Sequence, residues 1–252
     1  MGPPVFHLEV LPADGDTAIL DGAEGRHAAT VRRIRVGERV LLTDGHGAVA
    51  DCTVTGTARD VLELHVAQRH HVAVATPRVT VVQALPKGER SELAVELATE
   101  AGADVVIPWQ ANRCVARWQG AKVDKGVQRW RATAAQAAKQ SRRAYVPQIG
   151  ELHTTAEVAA LVGDTLTAGG RALVLHESAS TPLRSVTFAV PAIVLVVGPE
   201  GGIDADELAE LTDCGAMAVH LGPTVLRTST AAAVTLGAIG VLTPRWLDAP
   251  LA

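Results

Sequence analysis

Aromatic residues are scarce in this chain, at 3% of 252 positions. Its core has to be built mainly from Val, Leu, Ile and Ala, within a hydrophobic share of 48%. Long apolar runs are missing as well. No uncharged apolar stretch reaches the roughly 18 residues of a membrane helix, so no membrane partner is expected. The start, Met1-Gly2-Pro3-Pro4-Val5-Phe6-His7, lacks the basic opening and apolar run of a secretory signal, and a cytoplasmic protein is the expectation. Cysteine is limited to Cys52, Cys114 and Cys214, odd in number and far apart. That pattern gives neither a disulfide framework nor a C-x-x-C metal site, and three reduced, partly buried thiols are expected. Positive charge is not in excess either, with a net charge of -4.

The cations are segregated. Arg26 to Arg39 holds five arginines and one acid, a local +4, and Arg113 to Arg143 holds nine Lys or Arg and one acid, a local +8, so the rest of the chain carries -16. Such a distribution can hold a polyanion locally while the remaining surface repels it. Two ordinary solvated helix faces would give the same count.

The hydrophobic pattern divides the chain near Val72 to Pro77. Before it, Val5–Val10, Glu38–Thr43, Ala48–Val54 and Val61–Val66 read as short strands, with a strong turn signal at Asp44-Gly45-His46-Gly47. Glu24 to Arg33 reads as a short helix carrying Arg26, His27, Arg32 and Arg33. After the boundary, strands at Arg78–Leu85, Asp104–Pro108, Arg171–His176, Ala192–Val197 and Ala216–Leu221 alternate with helices at Gly88–Ala101, Val127–Ser141, Thr155–Val162, Asp204–Cys214 and Thr228–Leu242. On the first of these helices Leu93, Leu97 and Ala101 form the apolar face. Alternation of this kind predicts an α/β domain with a parallel sheet covered on both faces. The expected division is a β-rich domain at 1–74 and an α/β domain at 75–252.

Three strand ends run into loops suited to a ligand. Gly198-Pro199-Glu200-Gly201-Gly202-Ile203 follows the most apolar strand and precedes a helix opened by Asp204 and Glu207, a capping-box pair. Its glycines allow close backbone approach. It matches neither a Walker loop nor a dinucleotide fingerprint, and taken alone it could be an unliganded turn. Leu221-Gly222-Pro223-Thr224-Val225-Leu226-Arg227-Thr228 also joins a strand to a helix. Arg227 there is either a structural ion-pair member or a cation aimed into a site. Leu173-Val174-Leu175-His176-Glu177-Ser178 is the third, again a strand end passing into polar residues. Ligands of open α/β sheets bind beyond the carboxyl ends of the strands, so the three loops can converge. Outside them, His65, His70 and His71 read as solvated linker residues rather than metal ligands, and no metal is expected. Trp109, Trp118 and Trp130 read as packing residues. Asp206, Glu207 and Glu210 read as an exposed helix face, the first two favouring the helix N-terminus.

Gly198 to Ile203 and Leu221 to Thr228, in this order, resemble the cofactor loops of the SPOUT methyltransferases. Arg26-His27 with Val31-Arg32-Arg33 and Gly37, then Leu85-Pro86-Lys87-Gly88 with Glu96 to Gly102, then Lys139 to Arg143 with Val146-Pro147, resemble the bacterial 16S ribosomal RNA uridine-N3 methyltransferases within that superfamily. The resemblance implies a C-terminal SPOUT domain with a trefoil knot, an N-terminal PUA-like β-barrel that binds RNA, and a homodimer. It implies S-adenosylmethionine as cofactor, held at Leu175, Gly198, Pro199, Glu200, Gly202, Leu221, Gly222, Leu226 and Thr228. It implies methyl transfer to N3 of one uridine of 16S ribosomal RNA in the small subunit. Arg227 is the candidate catalytic cation. Arg26, His27, Arg32, Arg33, Lys87, Arg142 and Arg143 are candidate RNA contacts. Two positions depart from the family pattern, Lys139 and Ser229, where relatives carry Glu, and this leaves the general base unassigned. The alternatives are a catalytically silent RNA-binding or ribosome-assembly factor on the same fold, and a SPOUT methyltransferase of another RNA.

Overall fold

The computed structural model describes residues 2–247 and 251. They form two compact units, one holding 2–74 and 138–146 with residue 251, the other 75–137 and 147–247.

The first unit carries strands β1 (Val5–His7), β2 (Thr17–Leu20), β3 (Arg39–Thr43), β4 (Ala48–Ala58) and β5 (Val61–His71). They form a mixed sheet in the order β1-β3-β4-β5-β2, in which only β1 and β3 run parallel. Alternation decides which side chains go inward. Val40 and Leu42, Ala50, Cys52 and Val54, and Leu62, Leu64 and Val66 fall on one face and close over Phe6 and Leu20. Burial there pushes the Cys52 thiol up to about 12, so it stays protonated and unreactive. The 44–47 turn is real, with Gly45 and Gly47 at φ 75° and 104°. Segment 138–146 docks beside it: Gly47 N–H donates to the Ala144 carbonyl, Val146 N–H to the Gly45 carbonyl, and the Tyr145 hydroxyl to the Val72 carbonyl.

The helix expected over Glu24–Arg33 is a different object. A short α1 (Gly22–Gly25) passes into a π-helical turn at Arg26–Val31. Gly25 lies so close to its surroundings that an added Cβ would stand 2.4 Å from the Leu20 and Asp60 carbonyl oxygens. Arg32 N–H then reaches back to the His27 carbonyl, Arg33 turns to φ 55°, and Ile34 N–H returns to Ala28. Arg32 and Arg33 therefore leave the helix. Strand β2 had no expected counterpart, because Thr17-Ala18-Ile19-Leu20 is short and its Ile19 is exposed.

The second unit is a seven-stranded, fully parallel sheet of β6 (Arg78–Ala84), β7 (Val105–Trp109), β8 (Gln148–Ile149), β9 (Arg171–Leu175), β10 (Thr181–Pro182), β11 (Ala192–Val197) and β12 (Met217–His220). The order is β10-β12-β9-β11-β6-β7-β8. Helices α2 (Arg90–Glu100), α3 (Ala121–Gln140), α4 (Thr155–Thr167), α5 (Ala205–Asp213) and α6 (Thr228–Leu242) accompany it. Strand β11 is touched by both α4 and α6, and burial of Ile193 to Val197 is nearly complete. A strand sandwiched in this way has no polar face, which is why it reads as an uninterrupted apolar run.

Helix α2 presents another face than expected. Ala94, Val95, Ala98 and Thr99 are buried, and Leu93 is 40% exposed. The inward residues are mostly small, so α6 can lie against α2 with its own Ala231, Ala232, Thr235 and Leu236 buried. Helix α3 begins six residues before the expected start. Gly126 does not break it, and the Trp118 ring occupies the space its Cβ would take. Among the described residues no helix is long and apolar enough to cross a membrane.

Candidate active site

Strands β12, β9 and β11 are neighbours in the sheet, so their carboxyl ends open on one place. A cleft of about 470 Å³ lies there. It is lined by Leu175, His176 and Glu177 at the end of β9, by 197–203 at the end of β11, and by 219–228 from the end of β12 to the start of α6, with Ala231 of α6. The residues expected to hold a cofactor, Leu175, Gly198, Pro199, Glu200, Gly202, Leu221, Gly222, Leu226 and Thr228, all line this cleft, and so does Arg227. His220, which also lines it, had no expected role; its Nδ1 lies 2.9 Å from the Ala179 carbonyl.

The 198–204 loop is held from several sides. Gly202 has φ 75°, a conformation that favours glycine, and Gly198 leaves the space that Ile203 fills. Glu200 Oε1 accepts from the Lys87 backbone N–H at 3.1 Å. Asp204 caps α5, accepting from Asp206 N–H, and Glu207 Oε2 accepts from Asp204 N–H in the reciprocal half of the capping box. The reading of an exposed helix face holds for Asp206 and Glu210 and fails at Glu207. It is 2% exposed, and its Oε1 accepts from Asn112 N–H at 2.8 Å and from the Thr155 hydroxyl at 2.7 Å. Thr155 in turn accepts from Trp109 Nε1 at 3.2 Å. A buried carboxylate persists when it is fully hydrogen-bonded, and here it ties the loop to the segment after β7 and to α4.

Arg227 occupies the N-cap position of α6, with extended φ and ψ, and its carbonyl accepts from Thr230 and Ala231 N–H. Its side chain is exposed on the cleft wall, and no carboxylate pairs with it among the described residues. No acidic residue stands in the first turn of α6, so the partial positive charge of the helix end is undiminished there. Beneath it, buried Gln83 at the end of β6 donates from Nε2 to the Thr228 carbonyl at 3.4 Å and to the Ala84 carbonyl at 3.1 Å.

The residues expected to contact RNA are distributed over both units. Lys87 is exposed in the second, beside Glu200. Arg26, Arg32 and Arg33 are exposed in the first, which also holds His27, Arg142 and Arg143. Burial lowers the His27 pKa, with Lys139 adding to the effect, and its ring meets Phe6 edge-on. Lys139 is likewise in the first unit, where it pairs with Glu24 at 2.7 Å and lies over Phe6. Ser229 is buried at the start of α6. Trp109 and Trp130 are core residues. Among the described residues no group of three or more His, Cys, Asp or Glu is arranged to hold a metal.

The sequence pattern of the RNA methyltransferase domain family matches residues 74–240, and that of the RNA methyltransferase PUA domain matches 20–66. The ribosomal RNA small subunit methyltransferase E of Mycobacterium bovis is 56% identical over 243 residues, covering 96% of this chain and 93% of that protein. The chain belongs to this family. A second member, from Bacillus subtilis, is 28% identical over 91% of this chain and 92% of its own length. The crystal structure of the Neisseria gonorrhoeae member, bound to S-adenosyl methionine, superposes with a TM-score of 0.85 at 26% identity, covering 96% of this chain and 98% of that one. The protein is thus an enzyme of the RNA methyltransferase family, with the SPOUT-type α/β domain and PUA domain that the resemblance implied.

Proposed function

We propose that the protein transfers a methyl group from S-adenosylmethionine to N3 of one uridine in the 16S ribosomal RNA of the small subunit. The observation that carries this reading is the cleft at three adjacent strand ends, with an arginine at a helix N-terminus on its wall that has no carboxylate partner among the described residues. The cofactor supplies a methyl group on a sulfonium, already a good leaving arrangement. The cleft suits an adenosine. Its volume of about 470 Å³ is ample, Gly202 is fixed in a glycine conformation, and Gly222 has open space where a side chain would stand. In this reading the loops at Gly198–Gly202 and Leu221–Leu226, with Leu175 and Thr228, hold the adenosine. Alignment of the reacting atoms is the main contribution of such a site, at roughly 7–11 kcal/mol.

Uracil N3–H is a weakly acidic imide. As the proton leaves, negative charge spreads onto the flanking carbonyls, and Arg227 with the α6 N-terminus favours that charge. Neither Lys139, paired with Glu24, nor Ser229 offers a carboxylate as base. Residues 1–74 grip the RNA in this reading, and 75–252 carry out the transfer. The target base has to be unstacked to reach the cleft. The reaction places the protein in the cytoplasm with the ribosome. It acts as a homodimer, with the knot of the SPOUT domain; support for the dimer comes from α6, which leaves Val234, Val241 and Leu242 exposed although it is apolar on every side.

The test is incubation with tritium-labelled S-adenosylmethionine and small ribosomal subunits from a strain lacking the activity, followed by nucleoside analysis. Label in 3-methyluridine at one 16S site is the expected result. Cofactor binding without transfer would overturn it in favour of the catalytically silent factor, and label in another nucleoside or RNA in favour of a different methyltransferase.

A further inference from the structure

The 110–120 segment after β7 contains no helix or strand, yet it is pinned at both ends within the second unit. At the cleft end, Arg113 donates from Nη1 to the Gly201 carbonyl at 3.5 Å and pairs with Asp204 at 3.4 Å, while Asn112 N–H is held by Glu207. At the other end, Trp118 lies on Gly126 of α3 and meets Trp130 edge to face at 5.3 Å. Trp130 is fully buried and donates to Ser91. Gly126 is the residue that lets the indole lie flat, since a Cβ there would stand 2.7 Å from its ring. This clasp sets Arg117 beside the start of α3, where Lys122, Lys125 and Arg129 follow at helical spacing on one face.

These cations differ in how they are engaged. Arg129 is paired with Glu92, and Arg131 with Glu151. Arg117 donates one N–H to the Asn112 carbonyl at 2.6 Å, a neutral acceptor that steadies the side chain. Arg117, Lys122 and Lys125 are exposed, and none pairs with a carboxylate among the described residues. In a protein of net charge -4, three cations against the single acid Asp124 in nine residues, none with a carboxylate partner among the described residues and on a segment locked to the cleft rim, need a physical reason. Fixed cations along a groove rim are the usual way to track a phosphate backbone.

We infer that the catalytic unit carries its own phosphate track, leading from the cleft rim at Gly201 past Arg113 to Arg117, Lys122 and Lys125, and that it holds the RNA strand flanking the target nucleotide. The inference rests on the reading of RNA as substrate. It adds contacts outside the first unit, and it makes Trp118 and Gly126 positioning residues for that track. Phosphate contacts of this kind orient the strand without reading its sequence.

The test is a triple variant, Arg117→Gln, Lys122→Gln and Lys125→Gln. Its affinity for deproteinised 16S RNA and for oligouridylate is measured across a salt series, with S-adenosylmethionine binding as the control for folding. Each single-strand phosphate contact contributes roughly 0.7 to the slope of log affinity against log salt. Loss of three lowers the slope by about 2, so a tenfold rise in salt weakens the wild type roughly hundredfold more than the variant. Unchanged slopes with both RNAs would overturn the track. Methyl transfer by the wild type is scored separately. Transfer with an unchanged slope removes the track and keeps the function; a fallen slope without transfer removes the function and keeps an RNA-holding surface.

Discussion

Replacing Glu207 with alanine tests whether one buried carboxylate organises the cleft. The change strands two partly buried donors, Asn112 N–H and the Thr155 hydroxyl, and removes half of the α5 capping box. Because both donors are partly buried, each stranded one costs about 1 kcal/mol, the low end of the range for unsatisfied groups. The lost cap adds about 1 kcal/mol. A total near 3 kcal/mol follows, and at roughly 2–4 °C per kcal/mol for a chain of this size the midpoint of the second unit falls by about 6–12 °C. The assay is thermal unfolding followed by circular dichroism. Thr155→Val serves as the partner in a double-mutant cycle, because it removes the same hydrogen bond from the other side. Glu207→Ala and Thr155→Val together should cost clearly less than the two separately. A midpoint shift under about 2 °C, or strict additivity, would show that Glu207 is a bystander in a pocket that packing alone holds.

Arg227→Ala should keep cofactor affinity within about twofold and lose roughly 10²–10³ in turnover, measured as single-turnover methyl transfer against equilibrium binding; equal losses in both would make Arg227 a binding residue instead. Gly25→Ala should destabilise the first unit by about 3 kcal/mol, since the new methyl meets two backbone oxygens that cannot swing away, whereas Gly163→Ala, inside α4 with open space around it, should stabilise by about 0.5–1 kcal/mol. Acid should weaken the first unit. His7 Nε2 is buried without a hydrogen-bond partner among the described residues, and burial lowers the His7 pKa, Glu24 opposing and Lys139 assisting. The folded state therefore keeps His7 neutral while the unfolded chain takes up the proton near pH 6.5, so stability present above that pH is lost as pH falls toward the lowered folded value. His7→Gln should flatten that decline in unfolding midpoint against pH, and an unchanged slope would dismiss it.

Much of the second unit was legible because its signals are local. Strand Ala192–Val197 and helix Thr228–Leu242 have the bounds the sequence suggests, the first from an unbroken apolar run and the second from a Thr-Ser-Thr opening. The capping box at Asp204 and Glu207 was readable from spacing alone. The second duty of Glu207 was not, since its partners stand 52 and 95 residues away. The face of α2 was misjudged because the leucine stripe is the larger but not the better-fitting one: close approach of α6 selects alanines. The place of Lys139 was equally hidden, its partner Glu24 lying 115 residues earlier. Pairings over such distances are set by topology, and a single sequence states topology only through resemblance.

The strand order has a consequence for how the protein is made. Strand β12 is inserted between β9 and β10, and among the described residues β10 pairs with β12 alone. Until residues 217–220 have been synthesised, β9 is an open edge with buried-type residues Ala172, Leu173 and Val174 along it. An apolar edge of this kind is a template for pairing with other chains. The nascent polypeptide thus carries this apolar edge bare from the completion of β9 at Leu175 until β12 begins at Met217, and the lining of the cleft is complete only with Ala231. A ribosome stalled before β12 should therefore release a species that needs chaperone protection rather than a partly active enzyme.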